Sequence, residues 1–185
     1  MKLYSSESSE IPIYSVLNSI LNIANEDLIN VTQPFIDLFL IALYYYDDSS
    51  DTIIKRPIMN SVPIVYDFYR GSTIPIDQFN NDLIKVNNII TLPSFSSFST
   101  DKTIAASFIL PNQGFVDSQP VIFNYKYNTE NQNFNNRPKF LGKVSPFKEK
   151  EYLVYPFTRF RITEVFLPAE GKEHYDIVLK LYNIN

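Results

Sequence analysis

Phe147-Lys148-Glu149-Lys150-Glu151-Tyr152-Leu153-Val154-Tyr155-Pro156 places two carboxylates one residue apart at the start of an apolar, β-prone run. In a strand, side chains two residues apart point to the same face, roughly 7 Å apart along the chain. Glu149 and Glu151 can therefore serve one bound substrate. Paired carboxylates in different environments are a common device for cleaving a bond to a sugar carbon. The pair alone also fits a solvated strand edge, because Lys148 and Lys150 alternate with the acids.

The composition predicts a single folded domain over residues 1–185. Hydrophobic residues make up 45% of the chain and charged residues 19%, which supplies a substantial core. The 15 Phe and 13 Tyr favour β-structure. The net charge is -4, and the sequence contains no basic stripe. We therefore expect no nucleic-acid partner.

Several classes of chemistry are excluded by residues that the sequence lacks. There is no cysteine, so disulfides and thiolate chemistry are ruled out. The one histidine, His174, excludes a histidine-rich metal site, and its polar surroundings predict an exposed loop position. With only four glycines, neither a GxGxxG nor a Walker loop is present. We expect no metal cofactor.

The N-terminal residues carry no sign of export. Residues 1–10 are polar and lack the basic and apolar regions of a signal peptide. The most hydrophobic stretch, residues 35–46, is too short to span a bilayer and predicts a buried helix. These features favour a soluble, cytoplasmic monomer without a membrane partner.

The hydrophobic pattern predicts helices first and mostly strands afterwards, which is the α+β class. We expect one helix over residues 12–29 and a second that starts after Thr32, with Pro34 in its first turn. Two further helices are predicted over residues 75–88 and 101–109, the latter capped by Thr100. The predicted strands cover residues 62–69, 89–98 with an interruption near Pro93, 120–127, 151–155, 159–167 and 175–182.

Arg70 and Gly71 follow the apolar strand Val65-Tyr66-Asp67-Phe68-Tyr69. Arginine offers a planar fork of donors suited to phosphate. Glycine lets a ligand approach the backbone closely, so that its N–H and C=O can pair with an amide. An arginine at a strand end before a turn glycine would give the same pattern.

A segment rich in hydroxyl side chains leads directly into the predicted helix over residues 101–109. Its sequence is Ser96-Ser97-Phe98-Ser99-Thr100. Ser97 and Ser99 lie on one strand face and could orient a carboxylate or a ribose. Taken in isolation, the run is better explained as a serine-rich strand exit that caps the helix.

In combination, the three segments resemble the Arg–Ser–Glu class of mono-ADP-ribosyltransferases. The shared order is Tyr-Arg-Gly at residues 69–71, Phe-x-Ser-x-Ser at residues 95–99, and Glu-x-Glu at residues 149–151. The resemblance covers roughly residues 60 to 167. The class includes the vertebrate arginine-specific enzymes and the clostridial binary toxins. It implies an α+β fold in which N-terminal helices pack on a two-sheet β core with an NAD cleft.

The resemblance also implies roles for single residues on the NAD side. Arg70 would bind NAD phosphate and brace the cleft, next to the aromatic residue Tyr69. The backbone of Gly71 would grip the nicotinamide carboxamide, and Phe108 would pack against the nicotinamide ring.

The serines and glutamates would carry the chemistry. Ser97-Phe98-Ser99 looks like the family's Ser-Thr-Ser, in which Ser97 positions the catalytic glutamate and Ser99 supports the fold. Phe98 departs from the family threonine, so the packing of this strand must differ. Glu151 looks like the catalytic glutamate, and Glu149 like the upstream acid of arginine-modifying members. Residues 142–150 would face the protein target.

The resemblance implies a metal-free transfer of ADP-ribose from NAD to an exposed arginine of a protein. The bond from ribose C1′ to nicotinamide breaks, and Glu151 stabilises the positive charge that develops on the ribose. Guanidinium has a pKa above about 12 and is a poor nucleophile, so Glu149 would take its proton as the new bond forms.

Three alternatives remain compatible with the sequence. The chain could be an NAD glycohydrolase, in which water is the acceptor. It could be an inactive NAD-binding module, or an unrelated α+β domain in which the motifs occur by chance.

Overall fold

A computed structural model of the protein describes residues 13–45, 64–79, 84–109, 117–129, 138–142, 150–170 and 174–182. The helices are α1 (Ile13–Ile23), α2 (Glu26–Tyr45), the short α3 (Ile76–Gln78) and α4 (Lys102–Ser107). The strands are β1 (Val65–Pro75), β2 (Ile89–Leu92), β3 (Ser96–Ser99), β4 (Ser118–Asn128), β5 (Lys139–Phe140), β6 (Glu151–Val154), β7 (Thr158–Phe166) and β8 (Tyr175–Leu181). The α+β prediction is confirmed.

The chain forms two compact units that alternate along the sequence. The helical unit comprises Met1–Ser61, Leu92–Ser97 and Gln132–Thr158. The sheet unit comprises Val62–Thr91, Phe98–Asn131 and Arg159–Asn185. Strand β3 crosses from the first unit to the second. The prediction of one domain over residues 1–185 stays a prediction.

The break between the two N-terminal helices lies earlier than the sequence predicted. Ala24 has a positive φ of 52°, which ends α1 in a left-handed residue. The side-chain oxygen of Asn25 then accepts a hydrogen bond from the Leu28 N–H at 3.1 Å and caps α2. The predicted restart after Thr32 is therefore wrong, and Pro34 lies inside α2 and not in its first turn.

Helix α2 is not the buried helix that its apolar sequence predicted. Ile36, Phe39 and Leu43 are buried, but several other large apolar side chains of the same helix are exposed. By length and composition alone, Glu26–Tyr45 could cross a membrane, as many core helices of soluble proteins could. Its buried side packs into the core of the helical unit.

The core of the helical unit joins α1 and α2 to short segments from later in the chain. Its buried residues are Leu17, Leu21, Ile36, Phe39, Leu43, Phe95, Leu141 and Leu153. The rings of Phe39 and Phe95 meet edge to face with centroids 4.8 Å apart. The Asn18 amide donates to the Phe95 carbonyl at 3.2 Å. These contacts fix the approach to β3 against the helices.

Within the helical unit the strand order is β3-β6-β5. Only Ser96 and Ser97 of β3 belong to this unit. β5 and β6 are antiparallel, with Lys139 opposite Leu153 and Phe140 opposite Tyr152. β5 was not predicted, because a two-residue strand is too short to show an alternating pattern.

Within the sheet unit the strand order is β2-β7-β8-β4-β1-β3. β4 and β8 are parallel, whereas β1 is antiparallel to both β4 and β3. The core of this unit is aromatic: Tyr125 lies edge to face with Phe160 at 4.8 Å.

The predicted helix over residues 75–88 is confirmed for one short turn, α3, and is wrong at residues 84–88. Asn87 has a positive φ of 76°, which a right-handed helix cannot contain. The Asn87 N–H donates to the Ile162 carbonyl at 2.8 Å, and the Ile162 N–H donates to the Asn88 carbonyl at 2.9 Å. At residues 87 and 88 the backbone therefore forms hydrogen bonds with Ile162 of β7, and not the hydrogen bonds of a helix. Residues 80–83 lie outside the described part of the chain.

Candidate functional site

Arg70 and Gly71 lie inside β1 and not at its end, because the strand runs on to Pro75. β4 pairs with β1 along its whole length, with Arg70 opposite Phe123 and Gly71 opposite Ile122. β3 lies on the other side of β1, with Tyr69 opposite Ser99. In a strand, backbone N–H and C=O groups point alternately to the two sides. The backbone groups of β1 thus point alternately toward β4 and toward the side on which β3 lies.

Helix α4 lies directly against β1 at Gly71. A Cβ atom on Gly71 would lie 1.9 Å from the carbonyl oxygen of Ala105 and 3.1 Å from Cγ2 of Ile109. No side chain fits in this space, so the close packing of the helix requires glycine here. From the sequence, Gly71 was interpreted as a position that a ligand approaches closely. The contact with α4 was not predicted, because Ala105 is far from Gly71 in the sequence.

The start of α4 is braced by Ser99 and capped by Asp101. The Asp101 carboxylate accepts hydrogen bonds from the Thr103 N–H at 2.9 Å and from the Thr103 hydroxyl at 2.7 Å. The predicted cap, Thr100, is therefore wrong, because Asp101 occupies the position from which a side chain reaches the first turn. The buried Ser99 hydroxyl accepts from the Asp101 N–H at 3.1 Å.

Phe108 lies at the other end of α4, as its C-cap, with 60% of its surface exposed. Its N–H donates to the carbonyl of Ala105 at 3.3 Å, the same carbonyl that lies over Gly71. One short helix thus connects Ser99, Gly71 and an exposed aromatic ring. These three candidate residues are brought together within the sheet unit.

An ion pair also joins α4 to β8. Lys102 Nζ lies 2.7 Å from Asp176 Oδ1, and Asp176 is opposite Ile122, which is opposite Gly71. Nearby, partial burial raises the pKa of the Tyr69 phenol above its usual value, and the carboxylates of Asp67 and Asp176 raise it further. The sequence did not predict this cluster of charged and phenolic side chains around Lys102 and Asp176, because its surroundings come from three separate strands and a helix.

Phe98, which stands where the class that the sequence resembles has threonine, is a core residue. It is 2% exposed, and its ring lies 6.2 Å from that of Tyr125. Because strand side chains alternate between faces, burial of Phe98 leaves Ser97 and Ser99 to the opposite face. That the packing of β3 differs from the class that the sequence resembles stays a prediction.

The helical unit holds the other two described candidates, Ser97 and Glu151. Ser97 lies in β3 and Glu151 opens β6, and these strands are neighbours in the strand order. The Glu151 carbonyl accepts from the Leu141 N–H at 2.9 Å, while its side chain is partly exposed. The next three residues, Tyr152 to Val154, are buried and anchor the strand. Glu149 lies outside the described residues.

The described residues contain no group of three or more His, Cys, Asp or Glu side chains that could hold a metal ion. His174 is partly buried before β8 and is not the exposed loop residue that the sequence predicted.

No protein family matches the sequence, and no curated protein sequence matches it. Solved structures do match. The Vis toxin of Vibrio splendidus, an ADP-ribosyltransferase, is 20% identical with a TM-score of 0.65, over 92% of this chain and 67% of that chain. A structure of Vis in complex with agmatine is 18% identical with a TM-score of 0.51, over 98% of this chain and 90% of that chain.

Exoenzyme S from Pseudomonas aeruginosa, bound to Carba-NAD and in complex with human 14-3-3 protein beta, is 19% identical with a TM-score of 0.58. The match covers 97% of this chain and 70% of that chain. At these identities the likeness shows the fold, and the chain has the ADP-ribosyltransferase fold.

Proposed function

We propose that this protein is an NAD-dependent mono-ADP-ribosyltransferase that moves ADP-ribose from NAD to a protein arginine and releases nicotinamide. One observation carries the proposal. On an ADP-ribosyltransferase fold, the chain places Arg70-Gly71 within β1, Ser97 in β3 and Glu151 at the start of β6. The residue types and their order are those of the Arg–Ser–Glu class.

The sheet unit would hold the nicotinamide half of NAD. The resemblance assigns the carboxamide to the backbone N–H and C=O groups of Gly71, which lies inside β1. Phe108 offers an exposed ring at the end of the helix that packs on Gly71, and aromatic rings stack on flat heterocycles. Arg70 supplies the cation for phosphate, and Tyr69 and Ser99 form the strand pair beside it. Exoenzyme S, which has a similar fold, was solved bound to the NAD analogue Carba-NAD.

Glu151 would act on the ribose. It accepts a hydrogen bond from a ribose hydroxyl and stabilises the positive charge that forms as the bond from C1′ to nicotinamide breaks. The electron pair of that bond leaves with nicotinamide, which departs as a neutral base. Ser97, on the neighbouring strand, would hold the carboxylate in position.

The acceptor would be the guanidinium group of an arginine. Agmatine, present in the Vis complex, carries the same guanidinium group. A nitrogen of this group bonds to C1′, and its proton must leave, although guanidinium has a pKa above about 12. Glu149, two residues before Glu151, is the candidate acceptor for that proton.

Nicotinamide release and NAD binding, measured side by side, test the proposal. The wild type should bind NAD and release nicotinamide, and Glu151→Gln should bind NAD and release almost none. Glu164→Gln, at an exposed glutamate of β7, should match the wild type. Binding without release by the wild type would indicate an inactive module. Absence of binding would overturn the proposal.

A further inference from the structure

Helix α2 carries a second apolar stripe that faces solvent. Its members recur at alternating spacings of three and four residues: Leu28, Val31, Phe35, Leu38, Ala42 and Tyr45. Val31 is 80% exposed, Leu38 67% and Tyr45 77%. Single exposed apolar side chains are ordinary, but a continuous stripe of them marks a contact surface. We call these six residues the outer stripe.

The outer stripe is separate from the side of α2 that packs into its own core. Ile36, Phe39 and Leu43 are buried there, each displaced by about 100° from a neighbouring stripe residue. The spacing of the outer stripe is that of a heptad seam, in which apolar residues interlock with those of another helix. The geometry therefore fits a helix as the occupant.

The charges on α2 disfavour a membrane surface. The acidic residues of this helix are Glu26, Asp27 and Asp37, and its sequence contains no Lys or Arg. Helices that lie on anionic membranes carry basic residues on their polar face.

The two ends of α2 differ in charge. Glu26 and Asp27 lie in its first turn. At its last turn, Lys139 Nζ donates to the Tyr44 carbonyl at 3.2 Å and lies 5.7 Å from the centre of the Tyr44 ring. An antiparallel partner with the same charges would place acids against the lysine at both ends.

We propose that the outer stripe binds a second copy of this chain through antiparallel packing of the two α2 helices. The stripe is self-complementary in that direction. Leu28 would face the partner's Tyr45, Val31 the partner's Ala42, and Phe35 the partner's Leu38. A two-fold axis between Phe35 and Leu38 repeats each contact, as a closed dimer requires. A dimer would replace the monomer expected from the sequence, and it does not depend on the proposed activity.

The contact would be modest in size. From Leu28 to Tyr45 the seam is about 25 Å long, at roughly 1.5 Å per residue. One helix pair of this length is smaller than a standard protein–protein interface, so we expect a concentration-dependent dimer.

Sedimentation velocity over a wide range of concentrations tests the interface. The wild type should shift from monomer to dimer, and Leu38→Arg should stay monomeric, because it places charges on both sides of the two-fold axis. Asn30→Arg, on an exposed face of the same helix away from the stripe, should dimerise like the wild type. Circular dichroism of each variant shows that it is folded.

Engineered cysteines test the direction, since the chain has none of its own. Under oxidation, Val31→Cys mixed with Ala42→Cys should form a disulfide-linked dimer, and each variant alone should not. Cross-linking of either variant alone would contradict the antiparallel register.

A wild type that stays monomeric throughout, or equal dimerisation of the Leu38→Arg and Asn30→Arg variants, would overturn the proposal. So would binding of the wild-type monomer to phosphatidylcholine vesicles that Leu38→Arg abolishes, because the stripe would then serve a lipid surface.

Discussion

The carbonyl oxygen of Ala105 occupies the space where a side chain on Gly71 would begin. A Cβ atom there would lie 1.9 Å from that oxygen, far inside any real contact. The glycine thus lets α4 rest on β1, and α4 in turn carries Phe108 at its end. The candidate nicotinamide contacts of the sheet unit therefore depend on one packing contact.

Gly71→Ala should destabilise the protein, because α4 must move away from β1 to admit the methyl group. Overpacking of this kind costs about 1–3 kcal/mol. Urea unfolding followed by circular dichroism measures the loss, with Ser72→Ala at the next position as the control. An unchanged midpoint for Gly71→Ala would show that α4 does not lie against the strand.

Tyr125→Phe should reduce the loss of stability in alkali. Burial raises the pKa of the Tyr125 phenol well above its usual value. The folded state keeps this proton while the unfolded state loses it above about pH 10, so stability present below that pH falls as the pH rises. The phenylalanine variant has no such proton to lose.

At neutral pH the same variant should be as stable as the wild type or more so. The Tyr125 hydroxyl is buried and has no hydrogen-bond partner among the described residues. Urea unfolding at neutral and alkaline pH, with exposed Tyr45→Phe as the control, checks both parts. Equal alkaline losses in wild type and Tyr125→Phe would mean that Tyr125 is not buried.

Phe108→Ala should raise the KM for NAD several-fold while leaving stability almost unchanged, since the ring is 60% exposed. Phe166→Ala removes a ring of similar exposure, 50%, that has no assigned role. Initial rates of nicotinamide release over a range of NAD concentrations compare the two. If both variants have the wild-type KM, the stacking role of Phe108 is wrong.

Glu149→Gln should separate the two reactions of the site. Cleavage of NAD by water should survive, because Glu151 still stabilises the ribose cation. Transfer to agmatine should fall at least a hundredfold, because no carboxylate takes the proton of the guanidinium group. Mass spectrometry of the products distinguishes free ADP-ribose from the adduct. An equal fall in both products would refute the separate roles.

Long, regular patterns in the sequence predicted the strands well. Alternation and aromatic content located β4, β6, β7 and β8 to within about two residues at their ends, and Pro93 marked the gap between β2 and β3. Features set by partners distant in the sequence were missed. Residues 87 and 88 pair with β7 and not within a helix, because Asn87 donates to Ile162 and Asn88 accepts from it, and Ile162 is far away in the sequence.

The site residues stay a prediction, and the contacts that surround them were not foreseen from the sequence. Arg70, Ser97 and Glu151 were proposed because short motifs occur in the order of the class that the sequence resembles. The Lys102–Asp176 ion pair and the contact of Ala105 with Gly71 join segments far apart in the chain, so no local pattern reports them. The cap of α4 was misplaced by one residue, since Thr100 and Asp101 are both good capping residues.

The most direct test of the proposed activity is transfer from NAD labelled in its adenine ring to agmatine, with wild type and Glu151→Gln compared at equal concentration. We predict labelled ADP-ribosyl-agmatine from the wild type and at least a hundredfold less from Glu151→Gln, with NAD binding retained in both. Transfer by Glu151→Gln at the wild-type rate, or no labelled adduct from the wild type, would contradict the account.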